Sequence, residues 1–152
     1  MTISVKGKYG IKAMLDLAMY SYGEKVTVKS IAERQNIPEK FLEQLLSTLR
    51  KAGLVKSIRG AFGGYSLSKQ PENITVGDVL RALEGDLAPV KCIEQNKGKN
   101  KCKRSDICIT KYIWMKIKDG VNEVIDSITL KDLIDAYKAY EKDIMDGYIY
   151  YI

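Results

Sequence analysis

Apolar side chains recur at helical spacing along most of this chain, and the places where the pattern breaks set out an order of elements. Between residues 8 and 22, Ile11, Met14, Leu15, Ala18 and Tyr22 trace one helical face, so a first amphipathic helix is expected, closed by Gly23. A shorter helix over 28–35 follows from Val28, Ile31 and Ala32. Asn36-Ile37-Pro38 then interrupts the chain, and Pro38 suits the first turn of another helix, expected over 38–52. Phe41, Leu42, Leu45, Leu46 and Leu49 form its apolar face, while Lys40, Glu43, Gln44 and Ser47 form a polar stripe outside, and Gly53 supplies the stop.

Beyond Gly53 the period shortens. Leu54–Ile58 reads as a strand, 59–64 as a glycine-rich turn carrying Arg59, and Tyr65-Ser66-Leu67 as the returning strand. Two helices joined by a tight turn are common, but here a hairpin with a glycine-arginine tip follows them. That combination predicts a winged helix-turn-helix rather than a plain surface hairpin. Thr75 or its neighbour caps a helix over 76–84. From Gly85 to Ile107 no period survives, and the segment is rich in Lys, Gly and Asn. Ile113, Ile117, Val121, Val124, Ile125 and Ile128 then mark one long helix whose stripe reads as a dimer seam, packing within the subunit being the alternative. Thr129 caps a last helix expected over Leu130–Tyr140.

The expected fold is therefore mainly α with a small β-wing. The divisions are a winged helix-turn-helix domain over 1–84, a cysteine-containing loop over 85–107, dimerisation helices over 108–140 and a tail over 141–152. A chain of 152 residues can bury a core of its own without cross-links. No apolar run approaches the roughly 18–20 residues that cross a bilayer, and no signal peptide is apparent, so a cytoplasmic protein with no membrane partner is expected.

Charge sharpens this picture. Residues 1–70 carry 12 basic and 5 acidic side chains, whereas residues 109–152 carry 6 and 8. A basic half that also has a DNA-reading shape points to a polyanion as partner, rather than to charge kept for solubility alone. The chain has no histidine, which removes Ser/His and Cys/His catalysis, histidine proton switching and histidine metal ligation. No phosphate-loop spacing is present either, and Gly60–Gly64 lacks the strand-then-helix setting of a dinucleotide loop, so no enzyme is expected.

All three cysteines, Cys92, Cys102 and Cys108, lie in or at the edge of the aperiodic segment. An odd number of thiols in a cytoplasmic chain argues against a disulfide framework, and clustered thiols suit iron–sulfur clusters or zinc. Lys91, Lys97, Lys99, Lys101, Lys103 and Arg104 surround them. These cations would offset a thiolate cluster but would equally sharpen a redox-reactive thiol, so both readings stay open.

The stretches Met14-Leu15-Asp16, Ile31-Ala32-Glu33-Arg34-Gln35, Leu42-Glu43-Gln44-Leu45 and Leu49-Arg50-Lys51 resemble the Rrf-two family of dimeric winged-helix repressors, with its IscR, NsrR and CymR types. The wing from Val55 to Tyr65 is similar as well, and so is Cys108-Ile109-Thr110-Lys111-Tyr112-Ile113-Trp114 at the start of the long helix. The resemblance runs from residue 1 to about 135. It implies that Cys92, Cys102 and Cys108 hold an iron–sulfur cluster, either 2Fe-2S or 4Fe-4S and labile enough to be lost on purification. IscR-type members complete the ligation with a histidine where this chain has Lys111, and NsrR-type members use an acidic residue of the partner subunit near position 8, where this chain has Lys8. CymR-type members lack the cysteine triad and control cysteine and sulfur metabolism. The end of the chain, from Asp146 to Ile152, is similar to theirs, which implies cysteine synthase as a partner taking the Ile152 carboxylate; packing of the tail on the dimer is the alternative.

The expectation is a homodimeric repressor of double-stranded DNA with a roughly palindromic operator. Lys40, Glu43 and Gln44 would read base edges in the major groove, and Arg59 with Gly60 would enter the minor groove. Lys6, Arg50 and Lys51 would hold phosphates. Cluster state would set the affinity. The rival is a cluster-free regulator acting through thiol redox chemistry or through its tail.

Overall fold

The computed structural model describes residues 1–21, 24–94, 102–104 and 106–150, with side chains as far as 147. Among the described residues, six α-helices and one two-stranded antiparallel sheet make up the fold. Helix α1 (Val5–Tyr20) runs through its centre, with Ala13, Met14 and Leu17 fully buried. It starts at Val5 rather than at residue 8. The Ser4 side chain accepts the Lys6 N–H, and Glu84 Oε1 accepts the Ser4 and Gly7 N–H groups at 2.9 and 3.0 Å. Three otherwise orphaned donors are thus satisfied, and the helix gains a turn. It ends at Tyr20, with Ser21 as its C-cap, two residues short of the expected Tyr22; Tyr22 and Gly23 themselves lie outside the described residues.

Helix α2 (Val28–Gln35) is capped by Thr27, whose side chain accepts the Ser30 N–H. It closes on Asn36 in the left-handed conformation (φ 53°), a region asparagine tolerates. Helix α3 (Glu39–Lys51) therefore starts one residue after Pro38, which is its N-cap rather than part of its first turn. Leu42, Leu45, Leu46 and Leu49 are buried, and half-buried Phe41 meets Tyr9 edge-on at 5.7 Å. Between α1 and α2, Asp16 is wholly buried. Arg34 grips it in a fork, Nε to Oδ2 at 2.9 Å and Nη2 to Oδ1 at 2.7 Å, and Gln35 Nε2 adds a third bond at 3.0 Å.

Strands β1 (Val55–Ile58) and β2 (Gly64–Leu67) pair from Val55↔Leu67 to Ile58↔Gly64. A bridge between Val26 and Tyr65 ties the hairpin to the segment entering α2. The approach is close: a Cβ on Gly64 would lie 2.6 Å from the Val26 carbonyl oxygen, so only glycine fits.

Helix α4 (Val76–Glu84) opens with a reciprocal cap between Thr75 and Asp78. It leads through a short 3-10 turn at Lys91–Ile93 to helix α5 (Lys111–Ser127) and then helix α6 (Leu130–Tyr150). Val76 N–H to Ile128 O and Leu130 N–H to Ile74 O lace the starts of α4 and α6 together. Leu130 and Ile134 accordingly lie in the same core as Met14, Leu42 and Val79. Helix α6 runs ten residues past its expected end at Tyr140. The apolar period fades there, yet the segment to Tyr150 has no proline and only Gly147 against helix.

Helix α5 behaves differently. Arg81 of α4 reaches Asn122 at 3.0 Å and pairs with Asp126, and Lys118 pairs with Asp86 at 2.9 Å. These polar contacts hold α5 to the subunit, but none of its residues is buried. Ile113, Met115, Ile117 and Val124 remain exposed along it.

Candidate nucleic-acid interface

On the outer side of α3, Lys40, Glu43 and Gln44 join Ser47, Thr48 and Lys51 around an open hollow of about 550 Å³. The periodicity makes this unavoidable: four leucines face inward, so the residues between them line the outside. The three expected base-reading residues and Lys51 are thus brought together. Arg50 is not with them. It lines a neighbouring hollow of about 510 Å³ with Arg59 and Gly60 of the wing and with Thr27 and Lys29 at the start of α2. Helix α3 therefore serves two surfaces, one through Lys51 and one through Arg50.

Lys6 belongs to neither hollow; it stands exposed in the first turn of α1. Gly60 has φ 116°, a conformation that L side chains rarely adopt, which lets the wing turn back over four residues between Arg59 and Gly64. Sequence reasoning passed over Thr27, Lys29 and Thr48. The wing also carries Phe62, 83% exposed beside the Lys25 ammonium at 5.9 Å from its ring centre. Phe62 was passed over too, and an aromatic among the glycines of the wing was the available signal for it.

The thiols stand elsewhere. Cys108 precedes α5, and its Sγ lies 3.1 Å from the Thr110 hydroxyl. That hydroxyl first, and then the Lys111 N–H, hold the thiol below its ordinary range. Cys92 is exposed on the 3-10 turn and lines a hollow of about 320 Å³ against the first two turns of α5, together with Lys111, Met115 and Lys118. Two of the thiols are thus delivered to one end of α5, and their chemistry suits a thiophilic metal cluster. Cys102 is exposed, and among the described residues no three Cys, Asp or Glu side chains converge closely enough to hold a metal ion. Lys111 lies in the hollow with Cys92 and, as an ammonium, is no metal ligand. Ile152 lies outside the described residues. Among those residues no helix is long and apolar enough to cross a membrane.

A polar recognition helix, a preceding helix that buttresses it and a glycine-tipped hairpin at its side define a winged helix-turn-helix regulator that binds DNA. The chain belongs to the Rrf2 (Rrf-two) family, described as iron-dependent transcriptional regulators, which it matches over residues 3–136. It is 46% identical over 153 residues to the HTH-type transcriptional regulator CymR of Bacillus subtilis (strain 168), spanning 100% of each chain. The solved structure of that CymR, described as the global cysteine regulator, aligns with TM-score 0.70 over 90% of this chain and 98% of its own. A solved structure of T. potens IscR aligns equally well, with TM-score 0.70 and 46% identity over 90% of this chain and 88% of that one. The chain is a transcription regulator and not an enzyme.

Proposed function

We propose that this protein is a homodimeric repressor that reads a roughly palindromic operator with α3 and the wing, and whose affinity is set by the state of its three cysteines. The observation that carries the DNA reading is the double use of α3. Lys40, Glu43 and Gln44 face one hollow, and Arg50 faces another shared with Arg59 and Gly60. Gln44 suits adenine, Glu43 the cytosine amino group and Lys40 guanine, while Arg59 suits a narrow minor groove. Lys6, Arg50 and Lys51 would hold phosphates, so affinity should fall steeply with salt. The exposed apolar stripe of α5 supports pairing with a second copy.

For the signal, Cys92, Cys102 and Cys108 would hold an iron–sulfur cluster, whose chemistry makes it responsive to iron supply and oxidants. The depressed Cys108 thiol and its sharing of one helix end with Cys92 favour this input. The residues here would do the coupling: the 3-10 turn carries Cys92, the chain entering α5 carries Cys108, and α5 rests on α4 through Arg81. A cluster-free regulator is the second reading. It is favoured by the full-length similarity to a CymR and by the lack of a converged triad among the described residues. Cysteine synthase capture by the Ile152 carboxylate belongs to that reading.

An operator selected from random duplex DNA provides the test. Arg59→Ala should weaken its binding by about 1–3 kcal/mol, and Gln44→Ala should relax preference at one base position. If neither changes binding, the interface is elsewhere. Anaerobic purification decides between the signals. Brown protein with matching iron and sulfide, bleached by Cys92→Ala, supports the cluster. Colourless protein that resists reconstitution, and that loses cysteine synthase capture when its last two residues are removed, supports the second reading.

A further inference from the structure

A larger hollow, of about 860 Å³, opens where the end of α1, the chain leaving β2 and the first turns of α6 meet. Four lysines line it: Lys56 from β1, Lys69 from the turn after β2, and Lys131 and Lys138 from α6. Glu72 is the one acid among its lining residues. The Lys131 ammonium is already held by Asp135 at 2.6 Å, one turn along α6. Lys56, Lys69 and Lys138 make no ion pair among the described residues.

Three ammonium groups without an ion pair among the described residues, drawn from three separate elements onto one concave surface, give that surface a positive potential. An anion is the ligand such a surface attracts. The rest of the lining adds a second requirement. Met19 and Leu67, both half-buried, contribute apolar surface beside Ala18 and Ile134 of the buried core. A bare inorganic ion would leave that surface wet. The volume matches cavities that take small organic ligands, roughly 300–1,000 Å³.

We infer that this hollow binds a small organic anion, with a phosphate or carboxylate group among Lys56, Lys69 and Lys138 and a short apolar body against Met19 and Leu67. It shares no lining residue with the two hollows assigned to DNA. Lys56 pairs with Ser66 in the hairpin, two positions before Ile58 and three before Arg59 at the wing. A ligand there would bridge the wing strands and α6. The binding itself does not rest on the DNA-binding reading, and its test contains no DNA in the first arms.

Methyl resonances of Met19 and Ile134 in the full-length protein report on the hollow directly. They would be followed while hexyl phosphate, hexanoate, inorganic phosphate and hexanol are each titrated to millimolar concentration. Saturable shifts are expected with hexyl phosphate or hexanoate, whichever head group fits. Binding should be at least about tenfold weaker for inorganic phosphate and for hexanol, each of which lacks one half of the ligand. Lys69→Gln with Lys138→Gln should weaken it by a similar factor. Both side chains are exposed, and unchanged Ile31 and Ile74 methyl signals would verify the fold; Lys56→Gln alone serves if the double variant fails that check. Absence of saturable shifts, inorganic phosphate binding as tightly as hexyl phosphate, or indifference to the lysine substitutions would each overturn the inference. So would a final arm in which duplex DNA shifts these methyls while the small anions do not, because the hollow would then be part of the DNA surface.

Discussion

Arg34→Met should cost this protein more stability than Asp16→Asn, although the two residues form one ion pair. Asp16 is fully buried, whereas the Arg34 side chain keeps 33% of its surface in water. Removing the guanidinium strands a carboxylate in the interior, satisfied among the described residues only by the Gln35 bond at 3.0 Å. Breaking a buried pair in this way costs about 3–5 kcal/mol, and water at Arg34 places the expected loss near the lower end, about 3 kcal/mol. Asp16→Asn removes the charge but keeps a carbonyl acceptor, so about 2 kcal/mol is expected. Arg34 also stacks over the Tyr20 ring at 4.3 Å, and that contact contributes about 0.5–1 kcal/mol. Tyr20→Leu isolates it. Urea unfolding followed by far-ultraviolet circular dichroism, at neutral pH and one fixed protein concentration, measures all three. For a chain of this length about 3 kcal/mol corresponds to a melting temperature lowered by roughly 6–12 °C. Replacing both partners, Asp16→Leu with Arg34→Met, should return stability to within about 1–2 kcal/mol of the parent, because no buried charge remains. If Arg34→Met costs no more than Asp16→Asn, the argument from the buried carboxylate is wrong.

Other consequences are equally direct. Because the Thr110 hydroxyl and the Lys111 N–H favour the Cys108 thiolate, Cys108 should be alkylated by iodoacetamide at neutral pH faster than Cys92 or Cys102. Thr110→Val should slow Cys108 selectively, and equal rates at all three thiols would contradict the geometry. The Thr129 N–H and hydroxyl hold the Asp132 carboxyl below the usual carboxylate range at the start of α6. Its stabilisation is present above the ordinary value and lost as pH falls through the depressed one. Asp132→Asn should therefore lower the melting temperature at pH 7, with the difference closing in acid; a difference independent of pH would refute the cap. A Cβ on Gly10 would run into the Leu83 side chain where α1 crosses α4. Gly10→Ala should thus be net destabilising in calorimetry, overpacking of about 1–3 kcal/mol outweighing the roughly 1 kcal/mol that alanine gains in a helix.

Much of the site can be read from residue spacing alone. The inward leucines of α3 leave Lys40, Glu43 and Gln44 no place except the outside, and three glycines beside Arg59 mark the wing. What spacing does not carry depends on residues distant in the chain. Glu84 caps α1 across 77 residues, from its own position to Gly7, and extends that helix to Val5. Arg50 and Lys51 are neighbours in sequence with equal claims on phosphate, yet one joins the wing hollow and the other the α3 hollow. Only the angle between α3 and the hairpin could separate them.

Spacing along a single helix or strand carries the order of the elements, the faces they bury and the polar outer face of α3, because those properties are local to one segment. The rest came from packing between segments. That packing drew the first turns of α6 into the core of the winged domain through Leu130 and Ile134, left α5 with no buried side chain, brought Cys92 to the end of α5 that Cys108 begins, and gathered four lysines from β1, the turn after β2 and α6 around one hollow. Each is a meeting of separate segments. It is fixed by how the helices pack and which distant groups satisfy one another's hydrogen bonds, and periodicity along one segment carries no record of that.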